Sequence, residues 1–195
     1  MIEAIAGIGS AFGLAGSAGL NAYIPLLIVA LAARFPLNNP LLDLSEPYHV
    51  IGSWWAIGIL VVLLLIEMTV DKIPAIDTLN DTIQTFVRPA AGAILFAANA
   101  NVVTDIHPVL ALGAGLILAG GVHTAKGMAR PVVTATTAGT GNWAVSIVED
   151  VTAFFMSLVA IFLPLLAIIL FAIFSYFVFR WYRRRKKRRE AFSQA

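Results

Sequence analysis

Gly-Leu-Ala-Gly-Ser-Ala-Gly-Leu-Asn-Ala-Tyr-Ile-Pro (13–25) decides the reading of this chain. A run dominated by small residues meets Asn21, Tyr23 and Pro25, and the chain then continues apolar to Phe35. Proline in a helix interior removes a backbone donor. A polar residue beside it in apolar sequence marks an interrupted helix. A second stretch of equal length has the same design. Residues 4–35 and 108–139 each number 32, and the second opens on Gly-Ala-Gly-Leu-Ile-Leu-Ala-Gly-Gly (113–121) before meeting His123, Lys126, Arg130 and Pro131. Paired interrupted segments in corresponding halves point to a transporter-type binding site. Non-helical backbone at membrane depth survives only where protein or a polar cavity satisfies it.

Composition agrees with a membrane setting. Of 195 residues, 59% are hydrophobic and 12% charged, and the mean hydropathy is +0.87. A soluble domain carries about 25% charged residues. At about 20 apolar residues per crossing, the length accommodates six spans. The chain has no cysteine, which excludes disulfides, thiolate metal sites and cysteine nucleophiles. Met-Ile-Glu-Ala at the start lacks the basic region of a signal peptide, so the first apolar stretch is expected to remain. Charge is unevenly placed. Eight of the 13 basic residues lie between Arg180 and Arg189, whereas residues 1–179 hold five basic residues against ten carboxylates.

Six apolar segments follow from this pattern. After 4–35 come residues 50–66, which contain Trp54-Trp55, then a helical linker with Pro74, Asp77 and Asp81, and then 83–104. Segment 108–139 follows, and the remaining stretch divides at Pro164 into 143–163 and 164–182. The halves correspond: an interrupted segment, a helix opening on tryptophan, and a proline about 20 residues later. The expected architecture is therefore all-α and polytopic, with about six transmembrane segments in two inverted repeats whose first helices are broken or re-entrant. Residues 1–104 form the first repeat, 105–182 the second, and 183–195 a basic cytoplasmic tail. Basic residues flanking an apolar helix stay inside, so both termini are expected in the cytoplasm, in the inner membrane of a bacterium.

Ionisable groups in apolar helices are functional candidates by default. Glu67 and Glu149 fall at similar depth and are expected to meet across a shared cavity, with Asp150 at its edge. Two carboxylates together would hold a proton or a cation; as an alternative, each pairs with Lys72, Arg88, Lys126 or Arg130. The resumption of the second interrupted stretch at Pro131 would be a helix start. Such a start favours an anionic guest, beside Arg130 and Thr134, Thr136 and Thr137; Arg88 would be a second anion ligand. Asn21 and Tyr23 would coordinate a cation or polar solute, and His123 would relay protons or pack. Asp71, Asp77 and Asp81 are weak magnesium candidates on an amphipathic linker. The spacings Ala15/Gly19 and Gly115/Ala119 suit close helix packing. The basic tail suits anionic lipid headgroups rather than nucleic acid. No cofactor and no catalytic residue is implied, and a homo-oligomer is left open.

Gly-Leu-Asn-Ala-Tyr-Ile-Pro-Leu-Leu (19–27), Val-Asp-Lys-Ile-Pro (70–74), Val-Arg-Pro-Ala-Ala-Gly (87–92) and Ala-Lys-Gly-Met-Ala-Arg-Pro-Val-Val-Thr (125–134) resemble a bacterial integral-membrane family, domain of unknown function 4126. That resemblance implies a small membrane protein and no known reaction. Arg130-Pro131 with Thr134 and Ala138-Gly139 is more weakly similar to lipid-carrier flippases, whose paired arginines are incomplete here. The expectation is a small carrier for a polar or charged solute, coupled through Glu67 and Glu149. A lipid-phosphate flippase and a magnesium-dependent membrane enzyme are the alternatives.

Overall fold

The structure is a computed structural model. It describes residues 2–44, 46–70, 74–99, 106–137 and 141–164, together with 166, 169, 172–173, 175–177, 179–180 and 183; at 2–5, 74–79 and 81 only the backbone is described. The side chains of Asp71, Asp77 and Asp81, most of segment 164–182 and the tail from residue 184 lie outside the described set.

All regular structure among the described residues is helical: α1 (Ile2–Leu20), α2 (Tyr23–Arg34), a 3₁₀ turn (Tyr48–Gly52), α3 (Trp54–Val70), α4 (Pro74–Asn99), α5 (Pro108–Thr137) and α6 (Asn142–Phe162). The first interruption falls at Asn21–Ala22, as its sequence predicts. The second expected interruption does not occur, because α5 runs through Pro131 without a break. Likewise the linker at Pro74 and the third apolar segment are one helix, α4, which contains Pro89 and ends at Asn99. The reason is common to both. A proline removes one helical hydrogen bond, whereas opening the helix in apolar surroundings would strand several backbone groups. In α5 the residue four before Pro131 is Gly127, with nothing around its Cβ position. Downstream, the hydroxyls of Thr134 and Thr137 donate to the carbonyls of Arg130 (3.1 Å) and Val133 (2.7 Å) within the continuing helix.

Helix α1 is the axis of the molecule, packing on α4, α5 and α6; α2 packs on α3, on the 3₁₀ turn and on α6. Small residues set the closeness of these crossings. A Cβ on Gly19 would meet the Ala119 carbonyl at 2.5 Å and Val122 Cβ at 2.6 Å. One on Gly92 would run into Ala119 Cβ, and one on Gly115 into the Gly92 carbonyl. The Ala15/Gly19 and Gly115/Ala119 spacings thus pack α1, α4 and α5 backbone to backbone. Leu14, Ala18, Ala91, Leu95 and Ala119 fill the core around this crossing, and Phe12 meets Phe96 edge-on at 5.3 Å. Hydroxyls stitch α1 to α6: Ser17 and Ser157 lie 2.9 Å apart, and Ser10 donates to the Ala160 carbonyl at 2.7 Å.

The outer helices keep their apolar sides uncovered. Trp55 on α3 is 86% exposed, and Ile59, Val62 and Ile66 on the same helix are also exposed. Helix α3 starts where Ser53 Oγ accepts the Ala56 N–H at 3.2 Å, an N-cap contact. Arg34 at the end of α2 lies 5.1 Å over the Trp54 ring. Helices α5 and α6 are each long and apolar enough to cross a membrane, and α3 and the α1 and α2 segments are shorter apolar helices.

Candidate functional site

Five helices bring polar side chains to the α1–α2 interruption, and Asn21 is at its centre. Its Oδ1 accepts the N–H groups of Tyr23 (2.9 Å) and Ile24 (3.0 Å), the first donors of α2. Helix starts leave such donors without intrahelical partners. Its Nδ2 donates to Glu67 Oε2 on α3 at 2.7 Å and to Asp150 Oδ1 on α6 at 2.9 Å. All four hydrogen-bonding positions of the amide are occupied. The two carboxylate oxygens therefore lie no farther apart than those two distances combined.

Glu67 is 2% exposed, and its other oxygen accepts from Arg88 Nη2 on α4 at 3.2 Å. Arg88 is 1% exposed, and its Nη1 lies 3.4 Å from His123 Nδ1 on α5. A guanidinium can only donate, so Nδ1 is the acceptor. That leaves the imidazole proton on Nε2, which lies 3.2 Å from Thr85 Oγ1. One route of polar contacts thus runs from Asp150 through Asn21, Glu67 and Arg88 to His123.

A second group lies on the other side of the break. Lys126 Nζ pairs with Glu149 Oε2 at 2.6 Å and donates to the Leu20 carbonyl at 3.3 Å. Arg130 Nη2 lies 3.7 Å from the same Glu149 oxygen and donates to Ser146 Oγ at 3.0 Å. The two helix ends are matched in sign. The C-terminus of α1 carries partial negative charge and meets Lys126; the N-terminus of α2 carries partial positive charge and meets Asn21 with its two carboxylates. Among the described residues the cluster holds Glu67, Glu149 and Asp150 against Arg88, Lys126 and Arg130, so the formal charges balance.

Most of the expected site residues converge here, paired as the ion-pair alternative has them and not as a Glu67–Glu149 carboxylate pair. Glu67 is joined to Asp150 through Asn21, while Glu149 is held by Lys126 and Arg130. Asp150 is therefore central to the site and not at its edge. The expected anion site at a helix start beside Pro131 is corrected, because the helix does not start there and Arg130 turns to Glu149 and Ser146. Tyr23 is half-buried and its hydroxyl bonds Gln84. His49 is exposed and paired with Glu46 at 2.7 Å, and His107 is exposed at the head of α5. Gln84, 1% exposed on α4, was not among the expected residues. Its signal was available, since Gln84 precedes Arg88 by one turn on the same face.

Residues 8–184 match the family described as Domain of unknown function (DUF4126). The chain belongs to this family. Three of the stretches that carry the resemblance hold Asn21, Arg88, Lys126 and Arg130, while the carboxylates Glu67, Glu149 and Asp150 lie outside them. Neither the curated proteins nor the solved structures gave a match.

Proposed function

We propose that this DUF4126 protein is a small multi-pass carrier of the bacterial inner membrane. It moves a small polar or charged solute and is coupled to a proton or cation at Glu67 and Asp150. The observation that carries the reading is the single Asn21 amide at a helix interruption, shared by two carboxylates from two other helices and buried to 1% exposure. Carriers use interrupted helices in this way, with half-helix ends facing the bound ion and solute. A proton or cation arriving between Glu67 and Asp150 neutralises charge that Asn21 holds together. The same amide caps α2, so loading the acids bears on how α2 is seated. Ionised groups in apolar helices of this kind mark ion and solute pathways.

We read the topology as six crossings in two inverted halves, with both termini in the cytoplasm. The tryptophan openings of α3 and α6 and the later Pro74 and Pro164 support the correspondence; the helix interruption belongs to the first half alone. Arg183 and the basic residues after it fit the inner face, where they would meet anionic headgroups. The flippase alternative needs Arg88 and Arg130 turned toward lipid. Arg88 is buried against Glu67, and Arg130 is held by Glu149 and Ser146, which favours the carrier.

The test uses the purified chain in vesicles loaded with the pH dye pyranine and challenged with single small polar solutes. Solute-dependent internal pH change is expected in the wild type and is lost in Glu67→Gln and Asp150→Asn. Unchanged signals in both variants would remove the carboxylates from the mechanism.

A further inference from the structure

We propose that Gln84 and Arg88 form the recognition subsite for the carried solute, and that this solute is a small uncharged molecule with both a hydrogen-bond donor and an acceptor. The inference rests on the carrier reading above and names its substrate class. Gln84 and Arg88 are four residues apart on α4 and share a face. Each is 1% exposed. Two of their buried atoms have no hydrogen-bond partner, Gln84 Oε1 and Arg88 Nε. Buried polar atoms are rarely left so.

The two atoms are of opposite kind. Gln84 Oε1 can only accept, and Arg88 Nε can only donate. A guest that gives an N–H or O–H to the first and an oxygen to the second satisfies both. The charge of Arg88 is already met by Glu67 Oε1, so Nε offers a directed hydrogen bond and not an unpaired charge. An anion would find its counter-charge taken, and a cation would find Arg88 beside it. A neutral molecule meets neither obstacle. Tyr23 gives the subsite an edge. It is half-buried, stands at the first turn of α2, and bonds Gln84 through its hydroxyl. The residue that touches the subsite from the surface is therefore on the segment that Asn21 seats.

Three planar probes of one shape separate the possibilities: urea, guanidinium and nitrate. Urea both donates and accepts, guanidinium only donates, and nitrate only accepts. Entry into proteoliposomes of the full chain is followed by stopped-flow light scattering, with potassium and valinomycin clamping the potential. Urea is expected to enter wild-type vesicles at least about tenfold faster than protein-free vesicles, with the two ions near background. Gln84→Leu removes the acceptor and lowers the urea rate about tenfold or more. Gln84→Glu keeps the size, serves as the second variant if the leucine form does not fold, and shifts preference from urea to guanidinium. Helical circular dichroism and a monodisperse elution profile check both variants. Urea entry at background, or entry indifferent to Gln84→Leu and Gln84→Glu alike, overturns the subsite. If an ion enters and Glu67→Gln stops it, the carrier stands and the neutral-solute subsite is wrong. If no probe enters, the subsite is wrong, and the carrier is judged by its own pyranine assay.

Discussion

Replacing Asn21 separates two jobs that one amide performs. Asn21→Ser keeps a short side-chain oxygen that can accept an α2 N–H, but it cannot donate to two carboxylates at once. Asn21→Ala loses both functions. Each hydrogen bond to a charged group contributes about 1.5–3 kcal/mol, and Asn21 makes two, to Glu67 and Asp150. Serine, with a single O–H, keeps at most one of them and is therefore expected to cost about 1.5–3 kcal/mol. The cap to Tyr23 and Ile24 adds about 1 kcal/mol, so alanine, which also loses the remaining donor, should fall below serine by at least that amount. For a chain of this length about 1 kcal/mol moves the unfolding midpoint by roughly 2–4 °C. Serine should then lower the midpoint by roughly 3–12 °C and alanine by several degrees more. Thermal unfolding in detergent, followed by far-ultraviolet circular dichroism, gives the comparison directly. Placing Glu67→Gln in the background removes one charged acceptor and should shrink the Asn21→Ser effect. If Asn21→Ala shifts the midpoint by less than about 2 °C, or if serine and alanine are equal and small, then Asn21 holds neither the acids nor the helix start, and the site as drawn is wrong.

Other predictions follow from the same geometry. Glu67→Leu leaves the buried Arg88 without its counter-charge and should cost about 3–5 kcal/mol, whereas the double variant Glu67→Leu/Arg88→Leu should be the more stable of the two in chemical unfolding. Gly92→Ala drives a methyl into Ala119 and should lose about 1–3 kcal/mol; Gly113→Ala, with nothing around it, should gain up to about 1 kcal/mol by thermal unfolding. A double-mutant cycle on Ser17→Ala and Ser157→Ala should give a coupling near 1 kcal/mol, since their hydroxyls lie 2.9 Å apart.

The first interruption was legible because local chemistry and tertiary need agree there: Asn21 stabilises a helix start from its own side chain. Proline alone misled at Pro131. Sequence shows the missing donor but not the cost of the alternative, which depends on how apolar the surroundings are. The set of polar residues at the site was also readable, because charge is rare in apolar helices. The ion pairs with Arg88, Lys126 and Arg130 were readable as the alternative, but which carboxylates share a site was not. Glu67 finds Asp150 and not Glu149 because of the rotation of α6 about its axis, and adjacent positions on a helix differ by about 100°. Gln84 was passed over because an uncharged amide carries little weight in a scan for charge, although it is as buried as Arg88.

The crossing at Gly19, Gly92 and Gly115 leaves no side-chain layer between α1, α4 and α5. Three rods in backbone contact have no cushion to compress, so they behave as one keel. In the proposed carrier, shape change would then fall to α2 and α3, whose polar ties to the keel run through Asn21, Glu67 and Arg88. On that reading the ionisable residues would be the hitch between a fixed part and a swinging part, where a single proton would have the most leverage.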